Sequence, residues 1–164
     1  MQELTPYFNM LTRVSKIIET LPRRAATVAV NFSKQRFTAQ NWVDSNTLPW
    51  KQRKPIRGES RKRAGRAILV DTGRLRRSIR TIRVTTNSAT IGTDVPYAQA
   101  HNEGFRGNVR QSVRAHTRAN KPVKAHTRVI NQNIPKRRFM GNSAVLEQQL
   151  QRMMTSEIIK AIKG

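Results

Sequence analysis

Strict alternation of polar and apolar residues in the middle of the chain most limits what this sequence can fold into. The run RTIRVTT, residues 80–86, sends successive side chains to opposite faces, as a β-strand does. Ile82 and Val84 share one of these faces. After the turn residues Asn87–Ser88, the run ATIGT returns, with Ile91 predicted to point inward. These runs predict a β-hairpin.

A turn and a short helix precede this hairpin. The run ILVDTG ends in residues suited to a turn, because Asp71 and Thr72 can accept backbone N–H bonds and Gly73 tolerates dihedrals that other residues resist. GRLRRSI follows, and its two apolar residues lie four apart, which predicts one or two helical turns. VPYAQAHNEG leads away from the hairpin. Residues 68–104 are therefore predicted to form a helical turn and a β-hairpin.

The N-terminal region, residues 4–37, is predicted to be helical. Thr5 is predicted to cap its start, with Pro6 at the first helical position, and Pro22 is expected to break or kink it. Apolar residues recur at spacings of three and four, which is typical of a helix that packs on a core; a helix lying on a membrane is disfavoured because basic residues are few. The residues of this stripe are Leu4, Phe8, Leu11, Val14, Ile18 and Leu21.

A second helix is predicted at the C-terminus, over residues 143–163. Ser143 is placed to cap it, Glu147 lies near its start, and Lys160 and Lys163 lie at its end, where each charge suits the helix dipole. Its apolar stripe is expected to pack against a sheet. The residues of that stripe are Leu146, Leu150, Met153, Met154, Ile158, Ala161 and Ile162.

The charge of the chain predicts an acidic partner. Against 9 Asp and Glu there are 32 Lys and Arg, a net charge of +23, while only 37% of the residues are hydrophobic. Such an excess opposes compaction, so nucleic acid, an anionic membrane or an acidic protein surface is expected to balance it.

Residues 38–66 are predicted to be a basic loop, because they contain prolines and glycines and show no sustained periodicity. Two interpretations stay open: a solvated, mobile loop, or an arm that contacts phosphate or a partner, with Trp42 and Trp50 as anchors. Arg66 closes the basic run. The candidate contact residues of this segment are Lys51, Arg53, Lys54, Arg57, Arg61, Lys62 and Arg63.

Residues 105–130 contain a direct repeat, in which VRAHTR returns as VKAHTR after ANKP. A long antiparallel hairpin with its centre near Lys121 is predicted, and it would place Arg118 opposite Lys124, His116 opposite His126 and Arg114 opposite Arg128. One face would then be basic and the other thinly apolar. The predicted basic face comprises Arg110, Arg114, His116, Arg118, Lys124, His126 and Arg128. The predicted apolar face comprises Val109, Val113, Ala115, Val123, Ala125 and Val129.

This basic hairpin arm is expected to need a partner. Like charges opposed across strands are destabilising, and an isolated two-stranded hairpin is marginal in water. Phosphate or clustered carboxylates would offset the repulsion, and a solvated basic loop is the alternative. Arg110, Arg114, Arg118, Lys124 and Arg128 are its candidate contact residues.

The sequence predicts no enzyme, metal site or cofactor. The chain has no cysteine, its serines lack a nucleophile-elbow context, and its carboxylates are scattered. His101 and Glu103 would share one side of an extended segment, and His116 could face His126, but a structural zinc site needs four ligands. No signal peptide and no apolar run long enough for a membrane span are recognised.

Three runs resemble the signature blocks of the phage virion morphogenesis family. They are ILVDTGRLRRSI, IGTDVPYAQAHNEG and, at residues 134–141, IPKRRFMG. The family comprises tail-completion proteins of Mu-like and P2-like tailed phages, related in fold to head–tail joining proteins, and the resemblance extends from about Phe37 to the C-terminus. It implies one α+β domain over residues 1–164, in which a small antiparallel β-sheet packs against N- and C-terminal helices and Phe139 packs inside.

The resemblance also implies a function. The expected role is a structural component at the neck or upper tail of a tailed-phage virion, in tail completion or head–tail joining, without catalysis. The expected partners are further copies of the chain in a ring, expected to be hexameric, and head-connector and tail proteins, with assembly in the host cytoplasm and no membrane. The alternative is a basic protein that contacts the DNA backbone without sequence specificity.

Overall fold

The structure, a computed structural model, describes residues 4–53 and 65–163 and confirms the predicted α+β class. The helices of the described residues are α1 (Thr5–Ala39), α2 (Arg74–Ser78), α3 (Ala98–Glu103) and α4 (Ala144–Lys163). The strands are β1 (Asn41–Val43), β2 (Thr47–Pro49), β3 (Arg80–Val84), β4 (Ala89–Gly92), β5 (Phe105–Val113), β6 (His116–Arg118), β7 (Lys121–Val123) and β8 (His126–Ile134).

The strands of the described residues pair in four separate antiparallel ladders. β1 pairs with β2, β3 with β4, β5 with β8, and β6 with β7. Helix α1 packs against the β3–β4 hairpin and against α4. The Nε of Arg13 donates to the carbonyl of Ala161 over 3.1 Å, and Arg24 forms an ion pair with Glu157. The two long helices are therefore antiparallel, and α1 also contacts α2 and β1.

Helix α1 continues through Pro22, so of the expected break or kink the break is wrong. The contacts of Arg13 and Arg24 with α4 lie on both sides of the proline, and packing on both sides offsets the one hydrogen bond that proline removes. The predicted Thr5 cap is also wrong. Leu4 is the N-cap residue and makes no side-chain cap bond, and Pro6 is the second helical residue, one position after the predicted one.

The prediction that the N-terminal half of α1 packs into the core is wrong. Leu4, Phe8, Leu11 and Ile18 are exposed, and only Val14 and Leu21 of the predicted stripe are half-buried. The reason is length: 35 residues make a helix of about 52 Å, against about 30 Å for the 20 residues of α4. Because α4 ends beside Arg13, it leaves the first turns of α1 uncovered. We call Leu4, Tyr7, Phe8 and Leu11 the N-terminal apolar stripe.

The core is built around three aromatic rings from distant parts of the chain. Phe37 packs edge-on against Trp50, with ring centroids 5.5 Å apart, and against Phe139 at 5.0 Å. The indole N–H of Trp50 donates to the carbonyl of Arg138 over 2.9 Å. Phe139 is 1% exposed, which confirms its predicted place inside. Ile68, Leu75, Ile79, Val95 and Ala98 complete this cluster.

The first part of the predicted loop, residues 38–66, is ordered into the body of the protein. Strands β1 and β2 form a short hairpin that directly follows α1, with Gln40 in the left-handed conformation at the junction. Trp42 and Trp50 are both buried in the body of the protein. The stacking of the Arg138 guanidinium on Trp42, at 4.6 Å, ties this hairpin to the third block.

The start of α4 is fixed to the same hairpin. The hydroxyl of Ser143 donates to the carbonyl of Val43 over 2.8 Å and accepts from the backbone N–H of Leu146, which confirms the predicted cap. Asp44 accepts from the backbone N–H of Ala144 over 2.8 Å. Glu147 lies in the first turn, and Lys160 and Lys163 lie in the last, as predicted.

We expect Phe139→Ala to lower the free energy of unfolding by about 3–5 kcal/mol, because it leaves a cavity between Phe37 and Trp50. Urea unfolding followed by circular dichroism measures this change. Leu48→Ala is the matched control, since Leu48 is 59% exposed and the change should stay within about 1 kcal/mol. Equal losses in the two variants would contradict the central position of Phe139.

Candidate functional site

The basic hairpin arm forms, but its register differs from the prediction by three residues. Arg118 lies opposite Lys121, and His116 lies opposite Val123. The turn consists of Ala119 and Asn120, both with positive φ, at 49° and 60°. Two-residue turns of this kind match the twist of a hairpin, so the chain reverses before Lys121 and Pro122 instead of within them.

The shifted register mixes the two predicted faces of the arm. Arg110 pairs with Val129, and Arg128 pairs with Gln111, whose side-chain oxygen accepts from the Nε of Arg128 over 2.9 Å. Since paired residues share a face, charged and apolar side chains occur on both sides and the prediction of a single basic face is wrong. All five candidate contact residues of the arm are nevertheless exposed: Arg110, Arg114, Arg118, Lys124 and Arg128.

The direct repeat produces the same local geometry twice. The Nδ1 of His116 lies 2.9 Å from the carbonyl of Arg114, and the Nδ1 of His126 lies 2.9 Å from the carbonyl of Lys124. Each imidazole therefore points back toward the backbone two residues earlier in the chain. The prediction that His116 faces His126 is wrong. In the described part of the chain, no group of three or more His, Asp or Glu side chains could hold a metal ion.

The other predicted contact residues lie partly outside the described residues. Lys54, Arg57, Arg61, Lys62 and Arg63 fall in the range 54–64, which the structure does not describe. Lys51 and Arg53 are exposed at the end of the segment that follows β2. The backbone carbonyl of Lys51 accepts from the Nε of Arg137 over 3.0 Å, so this segment is held against the third block.

A cavity of about 400 Å³ lies where the three blocks meet, and the sequence reasoning missed it. Residues 68–75 of the first block, Tyr97 and His101 of the second and Arg137 of the third line it. We call it the three-block pocket. A signal for it was present in the sequence, since three separated blocks that share a resemblance suggest one shared site, but nothing in their spacing shows which side chains meet.

Two polar residues that line the three-block pocket, Arg137 and His101, are buried and half-buried. Arg137 is 8% exposed, and its backbone N–H donates to the carbonyl of His101 over 2.8 Å. The Nδ1 of His101 is buried and, among the described residues, has no hydrogen-bond partner. Burial lowers the pKa of the His101 imidazole, and the nearby positive charge of Arg137 lowers this pKa further. His101 therefore favours its neutral form in the free protein.

Asn102 joins the second block to the third. Its side-chain oxygen accepts from the backbone N–H groups of Phe139, at 2.9 Å, and Met140, at 3.0 Å. Its amide donates to the carbonyl of Met140 over 3.1 Å. Gly104 permits this approach, because it has a φ of 84° and a Cβ there would lie 3.1 Å from the backbone nitrogen of Lys136.

The predicted pairing of His101 and Glu103 on one side of an extended segment is wrong, because both lie in α3. Residues two apart on a helix point in different directions. The carboxylate of Glu103 accepts from the side chain of Gln99, over 3.3 Å, on the exposed side of this helix. His101 instead contacts Tyr97, with ring centroids 5.9 Å apart.

We expect Asn102→Ala to destabilise the protein by about 2–4 kcal/mol, since it leaves two backbone donors beside Phe139 without an acceptor. Asn108→Ala, at an exposed position in β5, is the matched control and should change the free energy of unfolding by less than about 0.5 kcal/mol. Thermal and urea unfolding would measure both. A neutral Asn102→Ala would show that this connection is not needed.

We expect the pKa of His101, measured by NMR titration, to lie below the usual value of 6.5 and to rise in Arg137→Gln. Because the folded-state pKa lies below the unfolded one, the contribution of His101 to stability is present above about pH 6.5 and is lost as the pH falls through the folded-state pKa. His101→Gln should therefore weaken the pH dependence of unfolding in this window. An unchanged dependence would contradict the assignment.

The comparisons with known proteins give one match. The model of the phage virion morphogenesis family matches residues 1–158. Neither the curated proteins nor the solved structures include a match. No described helix is both long and apolar enough to cross a bilayer. With its three blocks meeting at one pocket and nearly its whole length matched, the chain belongs to the phage virion morphogenesis family.

Proposed function

We propose that this protein is a structural subunit of the neck or upper tail of a tailed-phage virion, and that it acts in tail completion or head–tail joining by assembling into a ring, without a catalytic step. Membership of the family supports a role in building the virion. We place the ring in the virion after assembly in the host cytoplasm, with head-connector and tail proteins as its neighbours. By the resemblance, we expect the ring to be a hexamer.

The exposed N-terminal apolar stripe is the observation that carries this proposal. Leu4 is 62% exposed and Phe8 61%, and Tyr7 and Leu11 continue the same helix surface. Contiguous apolar side chains of this size mark interaction sites more often than free surface. A second copy of the chain supplies a cover for such a surface without any further component.

The β3–β4 hairpin offers a second surface that suits assembly. Every residue of β3 is exposed, and Ile82 and Val84 present apolar side chains to solvent on this strand. Among residues 4–53 and 65–163 this ladder has two strands, so each has an edge that pairs with no described strand. Two different surfaces on one subunit permit head-to-tail contacts, which close into a ring when the rotation allows it.

We expect the triple variant Leu4→Ser, Phe8→Ser and Leu11→Ser to stay folded as a monomer and to lose the ring. Native mass spectrometry and class averages from electron microscopy measure the assembly, and circular dichroism checks the fold. The matched control changes three exposed apolar residues elsewhere, Leu48, Val129 and Ile159, to Ser, and should keep the ring. A wild-type protein that stays monomeric at all concentrations, or a triple variant that still forms rings, would overturn the proposal.

A second candidate function is contact with the DNA backbone, and the composition of the arm favours it. Residues 105–134 contain seven Lys and Arg and no Asp or Glu. The five predicted contact residues among them are exposed, as phosphate contact requires. Such binding would be independent of sequence and would weaken steeply with salt.

We expect the variant with Arg114, Arg118, Lys124 and Arg128 changed to Gln to fold normally and to fail in particle assembly. The control removes the same charge from exposed helix positions, Lys16, Arg23, Arg152 and Lys163. Duplex binding at several salt concentrations separates the two functions, since phosphate contact predicts a slope of log K against log salt that is shallower in the arm variant than in the control. Equal assembly yields from the two variants would show that the arm is dispensable.

A further inference from the structure

The three-block pocket has an excess of positive charge. Arg53, Arg66, Arg74 and Arg137 line it, against one carboxylate among the described lining residues, that of Asp71. Arg66 and Asp71 form an ion pair with each other. The guanidinium groups of Arg74 and Arg137 are therefore not balanced by Asp71.

Arg137, the most buried of these arginines, uses one of its three side-chain nitrogens in a hydrogen bond with a described residue. The Nε of Arg137 donates to the carbonyl of Lys51, but no described residue accepts a hydrogen bond from its two outer nitrogens. The residue is 8% exposed, and its outer nitrogens are not among the buried side-chain atoms that lack a partner, so they stay accessible from the pocket. A carboxylate fits two parallel N–H groups of this kind.

The shape of the pocket selects among anions. Its volume of about 400 Å³ falls in the range of small-ligand sites, and buried Ile68 and Leu75 form part of its wall. Apolar walls suit the methylene groups of an acidic side chain. The phosphates of a duplex lie on a convex rod, which reaches the exposed Arg74 more readily than the buried Arg137.

We propose that the three-block pocket receives a carboxylate from a partner protein, on an acidic side chain or a chain terminus. The carboxylate pairs with the outer nitrogens of Arg137, and Arg74 contacts it from the rim. The negative charge of the bound carboxylate would favour the protonated form of His101, which lies beside Arg137. The partner being a virion protein rests on the proposed function, whereas binding of a carboxylate by the isolated chain does not depend on the ring.

Glutarate, a small dicarboxylate, is the probe, and glutaramide is its neutral control. In an NMR titration of the full chain at constant ionic strength, we expect glutarate to shift the signals of His101 and Arg137, and glutaramide to leave them unchanged. Arg74→Gln should weaken the binding about tenfold, as expected for a hydrogen bond to a charged group. Arg76→Gln removes the same charge from the same short helix outside this pocket, and should change the affinity by less than about twofold.

Arg137→Lys keeps the charge but removes the paired N–H groups, and it should also weaken binding about tenfold. If that variant does not fold, Arg74→Gln, at an exposed position, still tests the site. Equal shifts with glutarate and glutaramide, or equal losses in Arg74→Gln and Arg76→Gln, would overturn the proposal. Stronger competition by inorganic phosphate or by a short duplex at the same residues would also overturn it, in favour of a phosphate site.

Discussion

The packing of Phe37, Trp50 and Phe139 decides where most of this structure can lie. The three rings come from the end of α1, the residue after β2 and the segment before α4. Their contact brings the end of α1 close to the start of α4, and the Trp50 indole adds a hydrogen bond to the carbonyl of Arg138. The block segments then pack around these rings through Ile68, Leu75 and Ile79.

Local patterns predicted the elements well wherever the deciding interactions are local. The alternation from Arg80 to Val84 gave a strand, and the Ser143 hydroxyl caps the last helix, because strand pairing across a short turn and capping involve neighbours in sequence. Pro22 and the arm depended on more. A packed neighbour keeps the helix continuous through Pro22, and the conformation of Ala119 and Asn120 sets the register of the arm. Neither is visible in a propensity or a repeat.

Less of the candidate site than of the fold could be predicted from the sequence. Exposed basic residues such as Arg110 and Lys124 follow directly from composition, and they are exposed in the structure. Arg137 counted in the sequence as one more basic residue, and only the tertiary fold shows it buried beside His101. Residues 53, 74, 101 and 137 line one pocket because the aromatic core and Asn102 hold separated segments of the chain together. The spacing of these residues along the chain does not predict that they line one pocket.

The length difference between α1 and α4 gives the molecule a gradient of local stability. The middle of α1 is held by side chains on several sides, but the turns before Arg13 rely on their own backbone hydrogen bonds. Because α4 does not pack against these turns, we expect them to open more readily than the middle of α1. A partner that binds the N-terminal apolar stripe would stabilise these turns in the helical state. The rate of amide hydrogen exchange in the turns before Arg13 would therefore report how much of the protein has that partner bound.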